Sequence, residues 1–102
     1  AKVHLLTHSL HYGNAVFEGA RVYNGQVFRL TEHSRRLIKS AKMLAYDLPY
    51  SVEELDAATK LVVAENKLEN GYVRPLAWRG AEVIGVSAKG TKVHVMIAAF
   101  PW

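Results

Sequence analysis

The chain has 102 residues, half of them hydrophobic, which suffices for one small domain with a real core and leaves no room for two. This composition excludes intrinsic disorder, and no apolar run approaches the ~18 residues that a membrane-spanning helix needs. The absence of cysteine excludes a disulfide scaffold, a cysteine zinc site and a thiol nucleophile and fits a cytoplasmic protein, while the net charge of +4 is compatible with nucleic acid, a membrane surface or a small anion as partner.

Residues 14–30 carry the pattern of a β-hairpin. Asn24-Gly25 is a strong two-residue turn signal, because both turn positions need a positive φ, and it joins predicted strands at residues 16–23 and 26–30. A turn of this length pairs Tyr23 with Gln26. Because side chains alternate along a strand, one face of the hairpin should carry Phe17, Gly19, Arg21, Tyr23, Phe28 and Leu30.

A helix is predicted next, over residues 31–46, with Thr31 as its N-cap. Apolar residues at helical spacing predict its buried stripe, which consists of Leu37, Ala41, Leu44 and Leu48. The basic residues on the opposite side are Arg35, Lys39 and Lys42. Arg36 belongs to neither set, because it lies on the flank of the helix and near its N-terminus.

The second half of the chain predicts one more helix and two strands. Ser51 and Glu54 form a capping box, which begins a helix running to about residue 68. A strand over 72–79 follows, then a loop over 80–91 and a mostly buried strand over 92–100. The order strand, strand, helix, helix, strand, strand predicts an α+β fold, with an antiparallel sheet and two helices packed on one of its faces.

The strand over 72–79 should carry Tyr72, Arg74, Leu76 and Trp78 on one face. Pro75 predicts an edge or irregular position for this strand, because proline has no N–H to donate. Trp78 shares the face of Tyr72 and Arg74, so the sequence does not determine the volume of a pocket on that face.

Three groups of polar residues have both a chemical and a structural interpretation. His4, His8 and His11 have the spacing of metal ligands on a helix, yet weak helix formers surround them and no acid lies nearby, so we expect hydrogen-bonding histidines and no metal site. The basic helix face could meet phosphates of nucleic acid, or it could simply be solvated. Glu18 is the one acid within a strand pattern, and an exposed strand position is the favoured interpretation.

Arginines among aromatic residues favour a binding pocket. Arg21 interrupts an apolar face, and Tyr72 with Arg74 repeats the combination on another strand. Each could be a rim arginine that covers apolar surface with its stem. Together they predict a pocket for a small amphipathic acid, since arginine binds a carboxylate and aromatic rings hold an aliphatic chain.

Three segments resemble the motifs of branched-chain amino acid aminotransferases. They are HYGNAVFEGARVY at residues 11–23, VFRLTEHSRRL at 27–37 with the Ser40-Ala41 that follows, and GYVRPL at 71–76. The resemblance covers nearly the whole chain. It implies a fold-type IV enzyme that uses pyridoxal 5′-phosphate, and chains of this family are about three times as long, with two domains.

The resemblance therefore implies that residues 1–102 are the small N-terminal domain of a longer chain. The family's Schiff-base lysine lies in the larger C-terminal domain, so no catalytic residue is expected in this segment, and the segment alone should be inactive. At least a homodimer is implied, together with contacts to the chain's own C-terminal domain.

The resemblance also implies roles for individual residues. Arg36 matches the arginine that contacts the cofactor phosphate. The residues that match the substrate pocket are Phe17, Gly19, Arg21, Tyr72 and Arg74. Among them, Arg74 matches the arginine that helps to receive the distal carboxylate of glutamate. The residues that match positions reaching a neighbouring subunit's active site are Tyr12, Ile84, Gly85 and Val86.

The implied reaction is transamination between leucine, isoleucine or valine and 2-oxoglutarate, in the cytoplasm, with no nucleic acid or membrane as partner. D-amino acid transaminases and aminodeoxychorismate lyases share the fold and are the alternative within the family. They generally lack the Phe-Glu-Gly-x-Arg and Tyr-x-Arg-Pro pair present here. The alternative from another class is a stand-alone basic module that binds nucleic acid.

Overall fold

The computed structural model describes residues 1–102 and contains three helices and five strands. The elements in chain order are α1 (His8–Tyr12), β1 (Val16–Phe17), β2 (Ala20–Tyr23), β3 (Gln26–Val27), α2 (Leu30–Met43), α3 (Val52–Glu65), β4 (Gly71–Arg79) and β5 (Val93–Pro101). All five strands form one antiparallel sheet. The predicted α+β fold is confirmed.

Strand β4 is the central strand of the sheet. It pairs with β5 along its whole length on one side, and with β1 and β2 on the other. The prediction of an edge position from Pro75 is therefore wrong, but the position is irregular. The Pro75 carbonyl accepts a hydrogen bond from the Glu18 amide at 3.0 Å, at the interruption between β1 and β2. The proline thus lies where the ladder is already broken.

The predicted turn is confirmed, and the strands on both sides of it are shorter than predicted; β3 ends at Val27, where the prediction extends it to residue 30. Asn24 and Gly25 have φ values of 50° and 75°, and Tyr23 pairs with Gln26 as expected. The segment predicted as one strand over 16–23 is divided into β1 and β2 at Glu18 and Gly19. Each piece still pairs with β4, so the sheet continues past the interruption.

Helix α2 begins and ends earlier than predicted. Its N-cap is Arg29, with a left-handed φ of 54°, and the Thr31 hydroxyl donates to Asp56 at 2.6 Å and does not cap the helix. After Met43 a left-handed Ala45 (φ 64°) turns the chain. Tyr46 therefore enters the core at 5% exposure, whereas Leu44, predicted as buried, is 44% exposed.

Helix α3 has the predicted capping box and a shorter C-terminal end. The Ser51 hydroxyl accepts from the Glu54 amide, and the Glu54 carboxylate accepts from the Ser51 amide, both at 3.1 Å. The helix ends at Glu65, where the prediction extends it to residue 68. Lys67 has a left-handed φ of 50°, which turns the chain so that Leu68 packs into the core.

The two faces of the sheet differ completely. Helices α2 and α3 cover one face, where a core forms from Leu37 and Ala41 of α2, Leu55 and Val63 of α3, and the strand residues Val16, Val22, Val73 and Ala77. Leu30 belongs to this side, as part of α2, and not to the opposite face as predicted. Neither α2 nor α3 covers the opposite face, which we call the open face; at one end of it, Ser9 and Leu10 of α1 line a cavity with Leu76 and Trp78. None of the helices is both long enough and apolar enough to cross a membrane.

Candidate functional site

The open face brings together four of the five residues predicted for the substrate pocket. The guanidinium of Arg74 lies 4.2 Å from the centroid of the Phe17 ring, as a cation–π contact. Its Nη2 and Nε donate to the Tyr72 hydroxyl at 3.0 and 3.3 Å. Gly19 completes the group beneath the Tyr72 ring. This arrangement is an apolar wall with one cation fixed on it.

Gly19 is needed because Tyr72 occupies the space of a side chain. A Cβ at position 19 would lie 2.7 Å from Cζ of the tyrosine ring, closer than real Cβ contacts allow. The tyrosine ring would have to move, and the hydroxyl that holds Arg74 would move with it. Gly19 therefore acts on the site by leaving room for Tyr72.

Arg21 lies farther along the same face. Its backbone pairs with Tyr72 in the sheet. Its Nη2 donates to the carbonyl oxygen of Trp102 at 3.3 Å, and its guanidinium lies 5.8 Å from the centroid of the Tyr23 ring. Arg21 is thus on the predicted face, but its hydrogen bond goes to the Trp102 backbone and not to the Arg74 group.

Two aromatic residues of the open face were not predicted as site residues. Phe100 and Trp102 have ring centroids 5.5 and 4.8 Å from that of Tyr72. Phe100 pairs directly with Tyr72, so strand alternation places both on one face. The sequence predicts which residues share a face within each strand. It does not predict which strand pairs with the last one, and so it does not place Phe100 beside Tyr72. Trp78, by contrast, stacks on His94 and lies outside the Arg74 group.

Glu18 is buried at 5% exposure, so the expectation of an exposed strand position is wrong. It is directed to the helix side of the sheet, opposite to Phe17. Its carboxylate accepts from Arg36 Nε at 2.7 Å and Arg36 Nη2 at 2.8 Å, and from His33 Nδ1 at 2.7 Å. Burial alone raises the pKa of Glu18, but the bonds from Arg36 and His33 outweigh burial and lower it. Glu18 is therefore an ionised carboxylate held in a charged cluster.

Arg36 is suited to bind an oxyanion. Its side chain is 65% exposed, and only two of its five N–H groups are used by Glu18. The other three, on Nη1 and Nη2, have no protein partner. A planar edge with a free N–H on each of two nitrogens matches a phosphate or carboxylate. Arg36 lies on the other side of the sheet from the side chains of Phe17 and Arg74, and the tripeptide 17–19 connects the two places.

The residues predicted to reach a neighbouring subunit form a separate group. Tyr12, Ile84 and Gly85 line a cavity of about 70 Å³ with His8. His8 Nε2 donates to the Val86 carbonyl at 3.0 Å, and its Nδ1 accepts from the Asn14 amide group at 3.0 Å. The buried His8 thereby ties α1 to the loop over 80–91.

The remaining polar groups have ordinary structural partners. His11 donates to the Leu5 carbonyl at 2.8 Å, and His4 Nδ1 accepts from the Leu6 amide at 3.0 Å. No group of three histidine, aspartate or glutamate side chains converges as a metal site would require. The three basic residues predicted on the solvent side of α2 are all exposed; these are Arg35, Lys39 and Lys42.

Comparison with known proteins gives a family match and close relatives. Residues 15–102 match the family described as amino-transferase class IV. A Rickettsia bellii protein named "Probable branched-chain-amino-acid aminotransferase" is 50% identical over 101 residues, which are 99% of this chain and 35% of that protein. The chain thus spans about a third of the length of the curated relatives it matches.

Solved structures agree with this family match. The branched-chain amino acid aminotransferase of Escherichia coli has a TM-score of 0.93 and 44% identity, covering 100% of this chain and 35% of that one. The T.th. branched-chain amino acid aminotransferase, solved in complex with N-(5′-phosphopyridoxyl)-L-glutamate, has a TM-score of 0.93 and 45% identity, covering 100% and 36%. The same T.th. enzyme was also solved with 4-methylvaleric acid.

Proposed function

The chain belongs to the class IV aminotransferase family, and from this premise we propose that it forms the small N-terminal domain of a branched-chain aminotransferase. The whole enzyme would use pyridoxal 5′-phosphate to move an amino group between leucine, isoleucine or valine and 2-oxoglutarate. The domain selects substrate and holds part of the cofactor, and the reacting lysine lies outside residues 1–102. Its cytoplasmic location stays a prediction.

One observation carries this proposal: a guanidinium fixed on an aromatic wall. Both substrates must use one pocket, although leucine has an aliphatic side chain and glutamate a carboxylate. Phe17 and Tyr72 offer apolar surface to the leucine side chain. Arg74 retains N–H groups that do not bond to Tyr72, and these can donate to the glutamate carboxylate. One relative, the T.th. enzyme, was solved both with a glutamate derivative and with 4-methylvaleric acid, and so binds ligands of both kinds.

The cofactor phosphate fits Arg36. The three free N–H groups of its guanidinium are the donor set that a phosphate requires, and their exposure leaves room for the ligand. When bound, pyridoxal phosphate supplies the electron sink for the chemistry at the substrate's α-carbon. The chain's own contribution is to bind and orient the phosphate end.

A homodimer completes the proposal. Ile84 and Val86 are 75% and 79% exposed, and Tyr12 is 48% exposed, so these side chains are available to another subunit. They share no hydrogen bond or aromatic contact with Phe17, Tyr72 or Arg74. We propose that they line the partner's pocket, and that the domain also contacts its own C-terminal domain.

The visible absorption spectrum of the full-length protein tests this proposal. A cofactor band that shifts with leucine and with glutamate, but not with D-alanine, is the expected result. A shift with D-alanine alone would assign the protein to the D-amino acid transaminases. A protein without any cofactor band would refute the proposal, and salt-dependent binding of nucleic acid would then be the alternative to measure.

A further inference from the structure

Glu18 is the only acidic residue among the buried ones. Removing a carboxylate from water is costly, and such groups are found in protein interiors only when they are paired. Glu18 is paired on both oxygens: Oε2 accepts from Arg36 Nε, and Oε1 accepts from Arg36 Nη2 and His33 Nδ1. These bonds fix the orientation of the Glu18 carboxylate, and the fixed carboxylate in turn orients Arg36 and His33.

The pairing restricts Arg36 in a particular way. Nε and Nη2 form one edge of the guanidinium, and this edge is fully engaged by the carboxylate. The adjacent edge still offers one free N–H of Nη2 and those of Nη1, and the side chain is 65% exposed. The exposed arginine is thereby anchored from the protein side while its second edge is presented to solvent, so less rotational freedom is lost when a ligand binds.

The other arginines of the chain lack such an anchor. Arg29 pairs with Glu32, but both side chains are 60% exposed, and surface pairs of this kind contribute little. Arg74 is held by a neutral hydroxyl, and Arg21 by one carbonyl at 3.3 Å. Only Arg36 is bound through two nitrogens to a buried carboxylate.

We propose that Glu18 is a positioning residue: its buried carboxylate holds one edge of Arg36 so that the other edge meets the cofactor phosphate. This inference rests on the proposed function, in which Arg36 binds that phosphate. It has an unusual consequence. Glu18 is negative and near the phosphate, so by charge alone its neutralisation should strengthen phosphate binding. If Glu18 acts by positioning Arg36, neutralising Glu18 should weaken phosphate binding.

The sign of the change caused by Glu18→Gln is the test. The dissociation constants of pyridoxal 5′-phosphate, and of pyridoxal without phosphate, would be measured on the full-length protein after removal of its cofactor. We expect Glu18→Gln to weaken binding of the phosphorylated form by about tenfold, as for a misplaced charge-assisted hydrogen bond, and to leave pyridoxal unaffected. Glu82→Gln is the matched control, because Glu82 also pairs with a histidine but lies in the loop over 80–91.

The double variant Glu18→Gln/Arg36→Ala separates this inference from the proposed function. If Glu18 acts through Arg36, its replacement adds nothing once Arg36→Ala has weakened phosphate-dependent binding. Unchanged or tighter binding by Glu18→Gln, with Arg36→Ala still weak, would overturn the positioning role alone. If Arg36→Ala itself binds normally, the proposed phosphate contact fails as well.

Arg36→Lys keeps the inference testable if Glu18→Gln does not fold. Residue 36 is exposed, so this variant should fold, and it keeps the positive charge. Lysine has no second edge, so it cannot engage Glu18 and present a planar fork to phosphate together. We expect its binding of pyridoxal 5′-phosphate to fall close to that of Arg36→Ala. Binding close to the unmodified protein would show that charge suffices, and would overturn the inference.

Discussion

Arg74 combines three contacts that give it a defined position on an otherwise apolar wall. Its guanidinium lies over the Phe17 ring and 5.4 Å from the centroid of the Tyr72 ring, and the Tyr72 hydroxyl accepts two of its hydrogen bonds. A cation–π contact leaves the in-plane N–H groups available, so the arginine can be fixed by the ring and still bind a carboxylate at its edge. Substrate selection is therefore expected to depend strongly on this side chain.

Arg74→Ala should reduce kcat/KM for glutamate about tenfold or more, and for leucine much less. The reason is that only glutamate has a distal carboxylate to lose a charge-assisted hydrogen bond. Steady-state kinetics of the full-length enzyme with each amino acid would measure the difference. Lys39→Ala, on the exposed face of α2, is the control. Equal losses for both substrates would refute the carboxylate contact.

Glu18 shows what a sequence can predict at this scale and what it cannot. Strand alternation places residue 18 opposite to Phe17, on the face that the helices cover, so its burial was implicit in the pattern. An acid on that face requires a cation, and Arg36 on the flank of α2 was available. The identity of that contact depends on how the helix packs on the sheet, which local patterns do not determine. The expectation of an exposed glutamate followed from treating the strand residue alone.

At the scale of elements, the loop over 80–91 is attached by a few named bonds. His8 holds the Val86 carbonyl, and Arg79 donates to Thr91 Oγ1 at 3.3 Å and to the Ala88 carbonyl at 3.4 Å. Few apolar side chains of the loop are buried. Its position therefore depends on hydrogen bonds more than on packing, and α1 and the loop should move as one unit.

His8→Phe should loosen this loop. Phenylalanine keeps an aromatic ring beside Tyr12 but cannot donate to Val86 or accept from Asn14. We expect trypsin to cleave at the exposed Lys89 about two- to tenfold faster, the effect of losing about 0.5–1.5 kcal/mol from the closed state. His11→Phe is the matched control, because His11 bonds only within its own segment. Equal cleavage rates in the two variants would contradict the role of His8.

The element boundaries show the same limit of local patterns. The Asn24-Gly25 turn and the Ser51–Glu54 capping box were predictable, because each depends on side chains a few residues apart. The end of α2 was not. It depends on Ala45 adopting a left-handed conformation, and no local pattern predicts this for alanine; the burial of Tyr46 in the core accompanies it.

At the scale of the whole molecule, the sheet separates a covered face from an open one, and Glu18 lies on the covered side. The bonds from Arg36 and His33 keep its pKa below the ordinary value, so its ionised form stabilises the fold. This contribution is complete above the ordinary pKa of 4.5 and is lost as the pH falls through the lower folded value.

Acid should therefore destabilise the protein less when Glu18 is absent. We expect the fall in the midpoint of urea unfolding, between neutral pH and pH values below 4.5, to be smaller in Glu18→Gln than in the unmodified full-length protein. Glu53→Gln, at an exposed position of α3, should reproduce the unmodified pH dependence. A Glu18→Gln profile parallel to the unmodified one would show that this cluster adds nothing to stability.

The surface charge of α2 offers a test between the proposed aminotransferase and a nucleic-acid-binding module. Replacement of Arg35, Lys39 and Lys42 together by glutamate should leave kcat/KM within about twofold, because exposed substitutions rarely cost more than about 0.5 kcal/mol. The measurement is transamination by the full-length triple variant. A loss of activity together with salt-dependent binding of nucleic acid by the unmodified protein would favour the alternative.

The alternation of residues 17–19 has a consequence for how such a protein can change over generations. One tripeptide places the Phe17 ring on the open face, where we propose that the amino acid binds, and the Glu18 carboxylate that anchors Arg36 on the other face. Under the proposed assignment, replacing Phe17 would change which amino acid is accepted and would leave the cofactor contact of Arg36 unchanged. Insertion or deletion of a single residue here would move each following side chain to the other face of the sheet, because side chains alternate along a strand. The segment should tolerate substitution at its first position and almost no change of length.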